Sequence, residues 1–343
     1  MKSSSRPTIT WCDVSISTAS LPTPILVTGG TGFLGRDVVA ALLAQGASVR
    51  VAARRPDRLP PELKAAQPVT VDLARSETLK PALEGIEAVV HAAVSYGSLR
   101  SQQQVNVEGT RALARLAQQV GVRRFVHIST LAVYGYRHVG TVTEDTLPTP
   151  SRDPYCLTKR AAEEALMGEP ALDWVILRPG AIYGAYAPLW TRALAQWAVR
   201  RPFVFIGDGR GQLPLVHVDD VVGAVLRALE APAARCEAFN VMHPDLVTWR
   251  DLLSAYTAAA DRPLRWHSFP TTPLKAAAHL LALTSPQPSA RAALPELLHF
   301  LQHAPEFSTA KAQRLLDWKP AVNLDEGIRR TQAYLNWLWY GEA

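Results

Sequence analysis

The sequence predicts an α/β protein: a doubly wound parallel sheet with helices on both faces and a smaller C-terminal lobe. Three observations predict it. Short apolar runs alternate with amphipathic stretches through the first half of the chain, the pattern of strand–helix units in a parallel sheet. A glycine cluster, Gly29-Gly30-Thr31-Gly32-Phe33-Leu34-Gly35, separates the first apolar run from the first amphipathic stretch. Beyond Arg178-Pro179 the alternation breaks down into segments rich in Trp, Pro and Arg, which marks the second lobe.

Taken in order, Ile25 to Val27 reads as a buried strand and Arg36 to Gln45 as a helix with Val38, Val39, Leu42 and Leu43 on one stripe. Gly46 ends that helix, and Ser48 to Ala52 is a second strand. A charged, proline-bearing loop leads to a third strand at Val69–Val71, a helix at Ser76–Leu83 and a fourth strand at Ala88–His91. The helix Val105–Val120 is capped by Gly121. Strand Phe125–Ile128, helix Tyr155–Leu166 and strand Trp174–Leu177 follow, and helix Leu324–Leu338 closes the chain. Residues 1–23 are expected to be an extension with no assigned role. Residues 24–179 form a dinucleotide-binding domain of Rossmann type, to which 216–242 returns. Residues 180–215 and 243–343 make up most of a substrate-binding lobe.

The 343 residues are 48% apolar and 19% charged, with a net charge of +6, an ordinary globular balance. The cations are scattered, which argues against a nucleic-acid footprint. Cys12, Cys156 and Cys236 match no disulfide or metal pattern, so no metal is expected and a reducing, cytoplasmic setting is. No apolar run approaches the roughly 18 residues of a membrane span. The nearest, Leu274–Leu283, carries Lys275 and His279 and reads as a core or pocket-covering helix rather than a membrane contact.

The glycine cluster lets the backbone turn tightly and approach a pyrophosphate with no Cβ between them. The helix behind it offers free N–H groups and the positive end of its dipole. At the end of the second strand, a carboxylate would bind the adenosine ribose and repel a 2′-phosphate. Here Ala53 is followed by Arg54 and Arg55. Either the two guanidiniums bind such a phosphate, favouring NADP(H) over NAD(H), or they are a solvated pair. Asp72, beside Leu73, either accepts from the adenine amino group or caps the next helix. Small Ala92 and Ala93 after His91 let a cofactor pass close to the backbone. Tyr155 and Lys159 stand four apart, on one helical face. A lysine ammonium beside a phenol would lower its pKa from near 10 toward use as a base. Ser129 and Thr130, at the carboxyl end of the fifth strand, can hold a carbonyl or alcohol oxygen.

Together these motifs resemble the extended branch of the short-chain dehydrogenase/reductase superfamily, the NAD(P)-dependent epimerases, dehydratases and reductases. The resemblance runs over roughly residues 24 to 338. Its pieces include Thr28 to Gly35, Asp72-Leu73, His91-Ala92-Ala93, Asn106 to Thr110, Ser129-Thr130 before Val133-Tyr134-Gly135, Tyr155 with Lys159, Leu177 to Gly180, Val216 to Asp220 and Leu315 to Pro320. It implies a catalytic set of Thr130, Tyr155 and Lys159, with Tyr155 as acid/base. It implies cofactor contacts at Gly29, Gly32, Phe33, Leu34, Gly35, Arg54, Asp72, Leu73, Ala92, Ala93, Lys159 and Pro179. It also implies support near the lysine from Asn106 and a homodimer formed through the Asn106 and Tyr155 helices.

Two departures narrow the chemistry. Nucleotide-sugar dehydratases of this branch follow the active-site Thr with Asp-Glu, where this chain has Leu131-Ala132. Nucleotide-sugar epimerases carry a diphosphate-gripping Arg where this chain has Leu213, although Arg210 could substitute. The expectation is an NADP(H)-dependent oxidoreductase interconverting a secondary alcohol and a ketone or aldehyde. Its substrate would be small or moderately apolar, as in the 3β-hydroxysteroid dehydrogenase-like and ketone-reductase members. A sugar epimerase with transient oxidation is the alternative, and a non-catalytic cofactor-sensing regulator is a third reading.

Overall fold

The computed structural model describes residues 21–56, 59–285, 288–289 and 291–341. Apart from 21–23, the N-terminal extension, with Cys12, lies outside the described residues. The core is a seven-stranded sheet of β1 (Ile25–Thr28), β2 (Val49–Ala53), β3 (Gln67–Thr70), β4 (Ala88–His91), β5 (Arg124–Ile128), β6 (Trp174–Pro179) and β7 (Glu237–Val241). Its order is β7-β6-β5-β4-β1-β2-β3, and every pairing is parallel. The order reverses between β1 and β4. That reversal opens a crevice beyond their carboxyl ends, where ligands bind in open α/β sheets.

Alternation along each strand divides the core. Ile25 and Val27 face one side with Val38, Val39 and Leu42 of α1 (Phe33–Ala44). Leu26 faces the other with Phe125, Leu113, Ala117 and Leu166. Helix α2 (Gly109–Gln119) and α3 (Pro154–Met167) cover this second face, and α4 (Val218–Glu230) joins α1 on the first. A one-turn helix at Leu99–Gln102 and a π-helical stretch at Gln103–Glu108 run directly into α2. The third strand begins earlier than its apolar residues indicate, because Gln67 and Pro68 pair along the exposed sheet edge. An edge strand tolerates a proline there.

The smaller lobe packs Tyr183, Leu194, Phe205, Leu213, Leu252, Tyr256 and Leu335 into its own core. Among its aromatic residues, Phe205 is buried while Trp197 and Trp266 are exposed. The helix Thr271–Leu283 buries only Ala278 and Ala282. Of the two expectations for Leu274–Leu283, a core helix or a pocket-covering one, the first fails: its leucines 280, 281 and 283 face outward.

Gly35 sets the distance between α1 and the turn. A Cβ there would lie 2.1 Å from the Gly29 carbonyl oxygen, so the helix would have to move. Gly35→Ala is expected to cost ~1–3 kcal/mol, as overpacking does. Chemical denaturation checks this, and an unchanged midpoint would refute the contact.

Candidate active site

Gly29 has φ +69°, and a Cβ on it would meet the Ala93 amide nitrogen at 2.7 Å. The end of β4 is thus drawn against the glycine turn, with the Ala92 N–H bonded to the Thr28 carbonyl at 3.2 Å. The first bond of α1 runs from the Arg36 N–H to the Gly32 carbonyl. No side chain caps the helix and no acidic residue stands in its first turn. The amides of Phe33, Leu34 and Gly35 therefore precede the helical ladder at its positive end. A cradle that a Cβ would fill, floored by such amides, fits a dinucleotide pyrophosphate.

Arg54 and Arg55 follow β2 and are exposed, and neither forms an ion pair among the described residues. Asp72 lies two residues beyond β3. Its Oδ1 accepts from the Ala74 N–H, and its own N–H donates to Thr78 Oγ1. Those bonds are a local turn cap, and one carboxylate oxygen carries them. Leu73 is buried in the α2-side core, and Pro179 ends β6 opposite Val241. His91 is held by Thr28 Oγ1 at 2.6 Å and Thr110 Oγ1 at 2.9 Å. It is a satisfied core histidine.

At the catalytic end, Asp153 caps α3 through the Tyr155 N–H at 3.1 Å, with Pro154 at the first helical position. That cap starts the helix so that Tyr155 and Lys159 share its sheet-facing side. Thr130, two residues beyond β5, has extended backbone and accepts from the Ala132 N–H at 3.2 Å, starting the turn Leu131–Tyr134. The structure brings Thr130 and Tyr155 together, and a hydrogen bond with Thr130 draws the phenol's pKa down. Burial outweighs it. Together with the stacked Tyr96 ring, 5.2 Å away, burial raises the Tyr155 phenol well above 10.

Lys159 differs from the expectation. It is 3% exposed, and its ammonium donates to the Ile128 carbonyl at 2.6 Å and meets His127 Nε2 at 3.1 Å. Burial pulls its pKa down to about 8, opposed by the Glu163 carboxylate. Burial and Tyr96 set the direction of the Tyr155 shift, while the Lys159 ammonium is turned toward the sheet. Those partners of the ammonium lie on a strand remote in sequence, 31 and 32 residues before Lys159.

Other residues brace the site, and of these only Asn106 is among the expectations of the resemblance. Arg178 on β6 grips Glu163 of α3 at 2.7 Å and donates to the Tyr134 hydroxyl at 2.7 Å. The Tyr134 hydroxyl in turn donates to Asn240 of β7 at 2.8 Å. This network fixes the loop after Thr130. Asn106 accepts from the Ser95 N–H at 2.7 Å and donates to Thr158 Oγ1 at 3.3 Å, tying the loop after β4 to α3. Buried Glu296 accepts from Ser151 Oγ at 2.7 Å and from the Arg152 N–H at 3.0 Å, just before the cap of α3. The only sequence signal for Glu163 was its spacing of four from Lys159.

Comparison with known proteins adds to this geometry. A model of the NAD dependent epimerase/dehydratase family matches residues 25–241. The chain is 29% identical, over 88% of its length and 93% of the relative's, to a 4-hydroxy-2-methyl-3-oxo-4-farnesyl-3,4-dihydroquinoline-1-oxide ketoreductase of Stigmatella aurantiaca. It is 28% identical to a ceramide reductase of Caulobacter vibrioides, over 89% of this chain and 88% of that one. The solved UDP-glucuronic acid 4-epimerase of Bacillus cereus, in complex with NAD, shares the fold with a TM-score of 0.75 at 24% identity, covering 93% of this chain and 98% of that one.

Burial of His91 makes a prediction about pH. Burial, then the Lys159 charge, depress its pKa from 6.5 to about 3. As pH falls below 6.5 the unfolded chain takes up a proton that the native site refuses. The His91 contribution is therefore present above 6.5 and lost as pH falls toward 3. Denaturation midpoints should fall more steeply over that window in the wild type than in His91→Asn. Equal slopes would refute the assignment.

Proposed function

Because the chain belongs to the NAD dependent epimerase/dehydratase family, and is an enzyme of the extended short-chain dehydrogenase/reductase type, we propose that it is an NADP(H)-dependent reductase of a ketone on an apolar substrate. The observation that carries this reading is the convergence of α3, capped at Tyr155 by Asp153 and tied through Lys159 to the Ile128 carbonyl, with the loop that Thr130 begins. A phenol is protonated at neutral pH, so Tyr155 has a proton to give. In the reductive direction Tyr155 gives its proton to the substrate oxygen while the Thr130 hydroxyl hydrogen-bonds that oxygen. The nicotinamide, when bound, supplies the hydride to the carbonyl carbon. Ketone, hydride and proton together make the secondary alcohol. Lys159, held by the Ile128 carbonyl, presents its charge beneath the site and would hold the nicotinamide ribose.

The glycine cradle would hold the pyrophosphate, with the amides of Phe33, Leu34 and Gly35 as donors. Leu73, Ala92, Ala93 and Pro179 would line the path to the reacting carbon, and Asp72 would meet the adenine. Arg54 supports NADP(H): it is exposed and uncommitted, and Ala53 offers no carboxylate to repel a 2′-phosphate. NAD(H), the ligand of the Bacillus cereus structure, is the second reading.

Leu131, Leu213 and Leu215 are buried apolar residues in the stretches where sugar-nucleotide enzymes place charged ones. The ketoreductase and the ceramide reductase are named for reduction, which supports an apolar ketone. A sugar epimerase is the family's other chemistry. It would show isomerisation with retained cofactor and no net redox. The Tyr155–Lys159 pair speaks against a regulator without activity. We further propose a cytoplasmic homodimer formed through the Asn106 and Tyr155 helices, where Leu99, Gln103, Val107, Leu157 and Ala161 line a groove of about 650 Å³. Sedimentation of a monomer would refute that pairing.

Tyr155→Phe should lose ~10²–10⁴-fold in kcat while cofactor Kd stays nearly unchanged; full turnover would sink the acid role. Arg54→Ala should weaken NADPH by ~10-fold or more, as loss of a charge-assisted bond does, and leave NADH unaffected. Equal losses for both cofactors would reject the phosphate contact. With Tyr155 as the acid, ketone reduction should hold steady through neutral pH and decline in alkali. Alcohol oxidation should rise with pH. Initial rates in both directions test this, and an oxidation rate independent of pH would contradict it.

A further inference from the structure

The helix Thr271–Leu283 is amphipathic in an unusual sense: its inward side is two alanines, and its outward side is leucine. Leu280 is 64% exposed, Leu283 83% and Leu281 44%. The strand before it, Trp266–Phe269, is exposed at every position. It pairs along one edge with Phe203–Ile206, so that exposed Val204 stands beside His267 and Phe269 beside Ile206. Exposed Trp197 lies one turn before Arg200 and Arg201. A run of outward apolar side chains this long is not ordinary protein surface.

Within its two segments the charges have one sign, although exposed Asp208 and Asp261 flank them and Asp208 is paired with Arg210. Residues 262–295 contain Arg262, Arg265, Lys275 and Arg291 and no Asp or Glu. Residues 180–207 contain Arg192, Arg200 and Arg201 and again no carboxylate. The two segments meet: Arg262 Nη1 donates to the Val199 carbonyl, and the Phe203 N–H donates to the Arg265 carbonyl at 2.7 Å. None of the seven cations forms an ion pair among the described residues. The C-terminal end of the helix lies beside the catalytic machinery. Arg152, directly before the cap of α3, donates to the Ala282 and Ser285 carbonyls, each at 3.1 Å.

We propose that this surface docks the enzyme on an anionic lipid bilayer, with the helix Thr271–Leu283 lying in the interface. The charge pattern selects the occupant: unpaired arginines and a lysine suit lipid phosphates, and leucine, tryptophan and phenylalanine suit the acyl boundary. The 13-residue helix is about 20 Å long, short of the ~30 Å hydrocarbon layer, so it lies on the membrane rather than across it. Docking holds whatever the substrate is, and it places the start of the catalytic helix next to the lipid.

The full-length protein should sediment with extruded phosphatidylglycerol/phosphatidylcholine vesicles, hardly at all with phosphatidylcholine alone, and less at ~0.5 M salt, where charges are screened. Leu280→Asp with Leu283→Asp should lower partitioning by about tenfold or more with the melting temperature kept, since both side chains are exposed. Arg200→Glu with Arg265→Glu should remove the preference for anionic lipid. Wild-type protein left in the supernatant, or leucine variants that partition like the wild type, would overturn the proposal. So would a loss of oligomer mass in the leucine variants, which would make a second copy of this chain the occupant.

Discussion

The site depends on one buried charge. An ammonium removed from water is costly unless its donors are satisfied, and Lys159 finds its partners on β5: the Ile128 carbonyl and the His127 ring. That demand pins α3 to the sheet. Glu163, one turn further along α3, is clamped by Arg178 of β6, which also holds Tyr134. The loop beginning at Thr130 and the helix carrying Tyr155 are therefore positioned by the same set of charges. A buried ion network of this kind contributes geometry more dependably than stability. Here the geometry brings a hydroxyl and a phenol together.

Much of the fold was legible because burial leaves a pattern. Ile25-Leu26-Val27 and Ala88-Val89-Val90 are buried on both sides, so they read as continuous apolar runs. The glycine turn was legible because Gly29 needs a positive φ and Gly35 has no room for a Cβ. The spacing of Tyr155 and Lys159 showed a common face but not where the ammonium turns, since His127 stands 32 residues away and only the folded sheet brings it near. Tyr96 gave no signal at all: an exposed aromatic in a loop is unremarkable until it stacks on the phenol. Leu274–Leu283 misled for a different reason. Periodicity shows that a helix has an apolar side, but not whether that side faces the core or the surroundings.

The smaller lobe is coupled to the chemistry both by a shared apolar cluster, in which Phe307 packs with Leu131, Val133 and Tyr134 of the loop after Thr130, and by short polar links. Glu296 holds Ser151 and Arg152, and Arg152 reaches back to the end of the helix Thr271–Leu283. The next residue, Asp153, caps the catalytic helix and also accepts from the Tyr136 hydroxyl, which lies in the loop after β5. Any shift of the lobe is thus felt at the first turn of α3, where Tyr155 lies.

The π-helical stretch Gln103–Glu108 has a consequence for reading relatives of this chain. A π turn accommodates more residues than an α turn, and such turns occur as local bulges inside helices, often at functional sites. Asn106 sits inside the bulge, from which it makes two bonds to Ser95. In a relative whose helix is regular α at this point, an alignment without a gap would misassign every following position by one residue, a rotation of ~100° about the axis. An asparagine displaced by one in such an alignment can therefore be the structural equivalent, and a matched asparagine can face the wrong way.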